Sequence, residues 1–421
     1  MDASQRGFLL HKLADLYERD IEKLATLLAL DTGKPFNIAI YSVEECIKIL
    51  RYYGGAADKI QGQTIPVNGN VMAYTIYEPV GVVGAITPWN VPLIIDTYKL
   101  GPAIAAGCTI VYKPSELTPL ISLQNAALMR EAGFPPGVVN IVNGQGQTAG
   151  AALSMHPNID KISFTGSPRV GRLIQKASGN SNLKKVTLEL GGKAPFIVCK
   201  NANLDIATSL ALRACFFNSG QVCCALTRTF VHESVFDEFI RRLKLQINEY
   251  TIGSQFESDV KVGPLISEFQ MKKVLGYIAK GVKEGAKLEI GGKKHRNVGY
   301  FIEPTVFSNV TDEMTIAKEE IFGPVQSIFE YSSLEEVIDR ANDTQYGLSA
   351  AICTDNLDEA ITLSSQLLAG QVYINGFLNG SPQLPFGGYK MSGIGRELGM
   401  DGLMAYTETK AVTVVTSSKI M

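Results

Sequence analysis

Between residues 81 and 164, short runs built almost wholly of apolar residues alternate with stretches of helical periodicity, and no other feature constrains the fold as tightly. The runs fall at 81–86, 109–112, 138–142 and 161–164, with helical patterns near 98–106 and around 121–132. A strand that is apolar on both sides must be covered on both faces, the condition of a parallel sheet whose crossovers are helices. After Ala194 the pattern resumes, with strands expected at 196–199, 229–232 and 371–375, so a second α/β unit follows the first. A chain of 421 residues agrees with two or three domains at roughly 100–200 residues each.

The flanking segments read differently. Leu9, Leu13, Leu16, Leu24, Leu27 and Leu28 lie close to helical spacing and predict one amphipathic helix over 2–30, stopped by Asp31-Thr32-Gly33-Lys34-Pro35. A second helix is expected over 43–57, ending near Gly54-Gly55. Residues 61–77 shift to Thr, Ile, Val and Tyr around Asn68-Gly69-Asn70, a hairpin pattern. The tail at 411–416 alternates Val and Thr, as does a strand that adds to a neighbouring edge.

A formal charge of −2 offers neither a basic face for nucleic acid nor a polybasic arm for a membrane, which leaves small molecules or copies of the chain as partners. Seven cysteines form an odd set without CxxC spacing, so neither a disulfide framework nor a metal site is expected, and a reducing compartment fits. Asp2, Arg6, Lys12 and Asp15 interrupt any signal-peptide core, and no stretch reaches the roughly 20 apolar residues of a membrane helix. The expected location is the cytoplasm, with the mitochondrial matrix left open.

Four segments could carry chemistry. Gly220-Gln221-Val222-Cys223-Cys224 places two thiols in a turn leading out of a helical stretch. A thiolate attacks carbonyl carbon well, given a local field that lowers its pKa, although free cysteines also serve as small buried hydrophobes. Glu189, between two leucines and before Gly191-Gly192, is either a general base whose pKa partial burial raises or a strand-end carboxylate facing solvent. Asn90, in Thr87-Pro88-Trp89-Asn90, closes an apolar strand and is either an oxyanion donor or a turn residue. Phe164-Thr165-Gly166-Ser167-Pro168-Arg169-Val170-Gly171 joins a strand to a helix. Its N–H groups could receive a pyrophosphate, but it lacks the GxGxxG pattern and also suits a plain connection.

Taken together and in order, the segments TPWN, KPSE, FTGS, LELGGK, GQVCCA, EEIFGP and PFGGYKMSG, from about Thr87 to Gly393, resemble the successive signature blocks of the aldehyde dehydrogenase superfamily. MDASQRG, EAGFPPGVVN and GRELG are most similar to its tetrameric retinal and acetaldehyde dehydrogenase branch. The resemblance implies an α/β protein with a Rossmann-like cofactor domain (1–60 and 80–191), an α/β catalytic domain (192–391) and a β oligomerisation ribbon (61–79 and 407–421), assembled as a dimer of dimers.

It also implies the chemistry. Cys223, not Cys224, would attack the aldehyde, Asn90 and the Cys223 N–H would hold the thiohemiacetal oxyanion, hydride would pass to a nicotinamide, and Glu189 would activate the water that releases the acid. Lys113 and Glu116 match adenosine-ribose contacts, Ser167 a pyrophosphate contact, and Glu320 and Phe322 the nicotinamide end, with Thr87, Trp89, Gly166, Gly171 and Leu190 completing the cofactor set. The charge of Glu116 opposes a 2′-phosphate, which favours NAD over NADP.

The chain begins several tens of residues into the family pattern. Its aldehyde tunnel would be lined by Val91, Ile94, Ile95, Tyr98, Phe217, Leu378, Gly380 and Phe386. Val91 and Tyr98 replace larger aromatics common in the family and Gly380 a frequent aromatic, so a wide, apolar tunnel for long or ring-bearing aldehydes is expected, with Asp96 its one charged anchor. Two rivals are a catalytically silent, crystallin-like relative, opposed by intact Cys223, Glu189 and Asn90, and an acylating enzyme that transfers to coenzyme A, opposed by Glu189.

Overall fold

Three sheets organise the computed structural model, which describes residues 1–378 and 380–415. Three helices come first: α1 (Ala3–Arg19), α2 (Ile21–Thr32) and α3 (Phe36–Ala56). The single helix expected over 2–30 is therefore two. Asp20 ends α1, its N–H bonding to the Leu16 carbonyl, and starts α2, its own carbonyl accepting from the Leu24 N–H. The break lets both sets of leucines pack on α3. Helix α3 begins seven residues before the sequence expectation and runs through both glycines. Gly54 does not stop it: a Cβ there would crowd the His11 ring, and one on Gly7 would strike the Gly54 carbonyl. The pair allows α1 and α3 to cross in close contact.

Next comes the hairpin of β1 (Thr64–Ile65) and β2 (Val71–Pro79). Strand β3 (Val82–Ile86) then opens a six-stranded sheet with β4 (Thr109–Lys113), β5 (Val139–Ile141), β6 (Lys161–Thr165) and β7 (Lys185–Glu189). Helices α4 (Pro92–Ala106), α5 (Leu120–Ala132), α6 (Ala151–Met155) and α7 (Pro168–Gly179) form the crossovers. The second sheet holds β8 (Pro195–Val198), β9 (Arg228–His232), β10 (Lys287–Ile290), β11 (Thr305–Ser308), β12 (Val325–Tyr331), β13 (Ser349–Cys353) and β14 (Gln371–Ile374), with α8 (Leu204–Phe216) between its first two strands. Strand β15 (Gly393–Ile394) returns to the first sheet, and β16 (Thr407–Val415) pairs antiparallel with β2 of its own chain along its whole length. Residues 416–421 of the expected tail lie outside the described residues.

The first sheet runs β15-β7-β6-β3-β4-β5, parallel except at β15. The chain steps from β3 to β4 on one side and to β6 on the other, so a crevice opens at the C-terminal ends of β3 and β6. TPWN leaves β3 there, FTGS leaves β6 and LELGG leaves β7. Among the described residues no helix is long and apolar enough to cross a membrane.

Candidate active site

The loop carrying Cys223 is held in an unfavourable conformation by named contacts. After α8, Asn218 and Ser219 adopt φ +50° and +58° and Gly220 +72°. Two non-glycine residues in the left-handed region cost on the order of 1 kcal/mol each or more. Ser219 Oγ donates to the Gly263 carbonyl (2.9 Å), and Asn218 Nδ2 donates to the carbonyls of Asn90 (3.1 Å) and Gln221 (3.3 Å). Gln221 Oε1 accepts the Ile266 N–H (3.0 Å). Gly220 lies against Gly323 and Pro324, where a Cβ would collide with the backbone. The reversal brings Cys223 out of the core, half-buried, while Cys224 stays 3% exposed in the apolar cluster of the second sheet.

Asn90 is buried beside this loop, and its Nδ2 donates to the Gln221 carbonyl at 3.0 Å. An amide nitrogen has two N–H groups, so the second remains for a ligand oxygen. Glu189 closes β7 and is 4% exposed, which rules out a solvent-facing carboxylate. Both its oxygens are buried without a partner. Burial raises its pKa well above the usual carboxylate range, reinforced by Glu397 and Cys223. Nearby, Lys99 Nζ pairs with Glu397 (2.5 Å) and reaches Ser163 Oγ (3.2 Å).

The thiol departs from expectation. Its contact with Cys224, then burial, then the charges of Cys224 and Glu320 push the Cys223 pKa up, not down.

Three cavities meet this region. The first, about 190 Å³, is bounded by Trp89, Asn90, Gly166, Ser167, Leu190, Cys223, Glu320 and Phe322, together with Gln270 and Lys273. Trp89 meets Phe322 edge to face at 5.3 Å, and Gln270 Nε2 holds the Phe322 carbonyl at 2.7 Å. Glu320 accepts the Gly192 N–H at 3.1 Å. The second, about 560 Å³, lies between α6 and α7 and is bordered by Glu116, Arg169, Gln145, Gly146, Gln147, Gly150 and Ala151. The third, about 130 Å³, is bordered by Asn90, Cys223 and all eight expected tunnel residues, from Val91 to Phe386.

Several expected contacts are placed elsewhere. Thr87 borders none of these three cavities, and its hydroxyl bonds to Tyr112 (2.5 Å) behind the strand. Gly171 borders none either; a Cβ there would press on Leu190, so its lack of a side chain brings α7 close to β7. Lys113 is buried, donating to the Pro114 carbonyl (2.8 Å) and pairing with Glu116 (3.4 Å). Asp96 is no tunnel anchor: fully buried, it faces away from the third cavity into the hydroxyls of Tyr112 and Ser122. The sequence reading missed Tyr41, Glu45 and Tyr373 on the third cavity, Asn218 in the loop, and Lys99 with Glu397. Lys99 left a trace, as a lone cation in a largely apolar helix.

The family pattern described as aldehyde dehydrogenase family matches residues 1–412. The chain belongs to the aldehyde dehydrogenase family. All of it aligns with 84% of mouse aldehyde dehydrogenase, cytosolic 1, at 57% identity, and with 84% of human aldehyde dehydrogenase 1A1 at 56%. An NAD+ complex of the Bacillus cereus aldehyde dehydrogenase superposes with a TM-score of 0.97 at 47% identity, covering 99% of this chain and 85% of that one. An NAD-dependent aldehyde dehydrogenase of Sinorhizobium meliloti superposes at 0.98 with 40% identity, covering 100% and 84%. As a member of this family, the protein is an oxidoreductase that converts an aldehyde to a carboxylic acid.

Proposed function

We propose that the protein is an NAD-dependent, hydrolytic aldehyde dehydrogenase in which Cys223 is the nucleophile. The observation that carries this reading is that Cys223 and Asn90 border both the 190 Å³ and the 130 Å³ cavities, so one thiol stands where two ligands meet.

The residues present fit a dinucleotide. Ser167 caps α7, and the buried, unpartnered Thr165 Oγ1 borders the first cavity as an acceptor or donor awaiting a ligand. Trp89, Glu320 and Phe322 would hold the nicotinamide end, and Glu116 and Arg169 border the space for the adenosine end. When bound, the nicotinamide accepts the hydride given up by the thiohemiacetal. NAD is the cofactor in this reading, since Glu116 opposes a 2′-phosphate.

Cys223 attacks the aldehyde carbon, and the free N–H of Asn90 stabilises the oxyanion. Glu189, its pKa raised by burial, takes a proton from the water that hydrolyses the thioester. Glu189 borders neither cavity, but its two buried oxygens have no hydrogen-bond partner among the described residues and its charge acts on Cys223, which supports hydrolysis over transfer to coenzyme A.

The part of the substrate nearest the carbonyl is apolar and of about single-ring size. Val91 and Gly380 leave room, but Tyr41 and Tyr373 enter from α3 and β14, and the tunnel is narrower than its sequence suggests. A protein cavity of ~150 Å³ takes benzene, so 130 Å³ suits a ring or a chain of about six carbons. Sheet membership supports the division into cofactor, catalytic and ribbon parts given above. The ribbon's exposed edges support the proposed homotetramer, and the cytosolic name of the mouse relative supports a cytoplasmic location.

Absorbance at 340 nm with NAD and benzaldehyde, with and without coenzyme A, tests the reading. NADH and benzoate should form at the same rate either way. A coenzyme A requirement would favour the acylating enzyme, and silence from folded protein the non-catalytic relative. Along the series acetaldehyde, butanal, hexanal and decanal, kcat/KM should rise until about hexanal, at up to ~0.8 kcal/mol per buried CH₂, and then level. A flat series would remove the size assignment.

A further inference from the structure

The third cavity has aromatic walls and one carboxylate. Tyr41, Glu45 and Ile49 recur every fourth residue along α3, so one stripe of that helix borders the cavity, with Tyr98, Tyr373 and Phe386 on other walls. Tyr98 and Phe386 meet edge to face at 6.2 Å, and Tyr41 meets the Phe217 ring at 6.2 Å. Burial raises the Tyr41 pKa, the charges of Glu45 and Cys224 add to that, and those of Lys48 and Arg213 oppose it.

Among the described residues Glu45 pairs with one cation. Lys48, one turn on, reaches its Oε1 at 2.6 Å, and the two side chains are 59% and 19% exposed respectively. Such an i,i+3 pair on a helix surface is weak, and the lysine can swing into water at little cost. The carboxylate is four-fifths buried and fixed on the tunnel wall. Removing its mobile counter-ion leaves a fixed anion among aromatic faces, and that combination recognises an organic cation by charge and by the ring quadrupoles together.

We propose that Glu45 makes the enzyme selective for aldehydes that carry an ammonium group at the end remote from the carbonyl, with the substrate's cation taking the place of Lys48. The inference rests on the Cys223-centred reading above and adds a substrate class to it. The chemistry at the carbonyl is unchanged, and the cation stays at the tunnel mouth throughout.

The test compares 4-(trimethylammonio)butanal with its neutral isostere 5,5-dimethylhexanal, which has the same shape and no charge. Wild-type enzyme should show the higher kcat/KM for the cation. Glu45→Gln should lower the cation-to-isostere ratio roughly tenfold, and Lys48→Met, which removes the competing ammonium, should raise it. Because each variant is read as a ratio within one protein preparation, a loss of folded enzyme cancels. Preference for the isostere, or a ratio that Glu45→Gln leaves unmoved, overturns the cation assignment while the oxidation of both aldehydes upholds the functional reading. Failure to oxidise either compound or benzaldehyde overturns that reading and this inference with it.

Discussion

Replacing Asp96 with asparagine should flatten the pH dependence of stability. The carboxyl group is fully buried on α4, and burial raises its pKa from 3.8 to about 7, against the opposing pull of hydrogen bonds from Tyr112, Ser122 and Thr87. The unfolded chain releases this proton near pH 4 and the folded chain only near pH 7, so the folded state holds an extra proton across that window. The stability linked to that proton is complete below the unfolded pKa and is lost as the pH rises to about 7. A rise of about three units is worth about 4 kcal/mol at ~1.4 kcal/mol per unit, of which about 3 kcal/mol falls between pH 5 and pH 8. Asparagine keeps an acceptor oxygen, and its amide can donate to the Ser122 or Thr87 hydroxyl, so the network survives without a titrating member. Urea unfolding of both proteins at pH 5, 6, 7 and 8 isolates the effect, because every other group cancels in the difference. The wild type should lose about 3 kcal/mol relative to Asp96→Asn from pH 5 to pH 8. Parallel curves would refute the reasoning.

Cys223→Ala should abolish turnover, whereas Cys224→Ala, which trims a side chain packed in the core, should retain most of it; comparable loss in both would overturn the choice of nucleophile. Glu189→Gln should give a burst of NADH followed by a steady rate lower by ~10²–10⁴, and an unchanged steady rate in rapid-mixing kinetics would mean that another group activates water. Because the Glu189 pKa is raised, the wild-type steady rate should fall as the pH drops through it, and the variant should lose that limb. A Cβ added at Gly380 meets nothing within 4 Å, so Gly380→Phe should fold and should lower kcat/KM for phenylacetaldehyde more than for acetaldehyde. An equal loss for both would take Gly380 off the substrate wall.

The parallel sheets were legible because their signals are local, whereas Cys223, Glu189 and Asn90 stood out as candidates through the resemblance of the ordered segments. An apolar run such as 161–164 states its own burial, and the turns after β3, β6 and β7 fall at strand ends whatever surrounds them. The helical boundaries failed where tertiary contact overrode local chemistry. Gly54 looks like a stop signal, and its role as the point where α1 crosses α3 depends on Gly7 and His11, more than forty residues away. The Cys223 environment failed for a related reason. A sequence shows that a thiol follows Gly-Gln but not that its nearest titrating neighbours are Cys224, Glu320 and Glu189, all of which disfavour the thiolate.

The two acids Asp96 and Glu45 show why the tunnel was the least legible part. Asp96 lies within three residues of Ile94, Ile95 and Tyr98, all of which border the substrate cavity, so proximity in sequence places it there as well. On a helix, however, a step of one or two residues turns a side chain through roughly 100° or 200°, and the second face of α4 belongs to β4 and α5. There Tyr112 and Ser122 supply the hydroxyls that make burial of a carboxyl tolerable. Glu45 has the opposite history. It stands next to Glu44 in a segment with no signature residues, and only the approach of α3 to α4 and β14 turns it onto the tunnel. Which of two acids is left open to a ligand is thus decided by which helix faces supply polar partners. A buried carboxyl with hydroxyls around it is already satisfied and serves the fold, whereas one paired with a lysine that can leave is the one still able to bind.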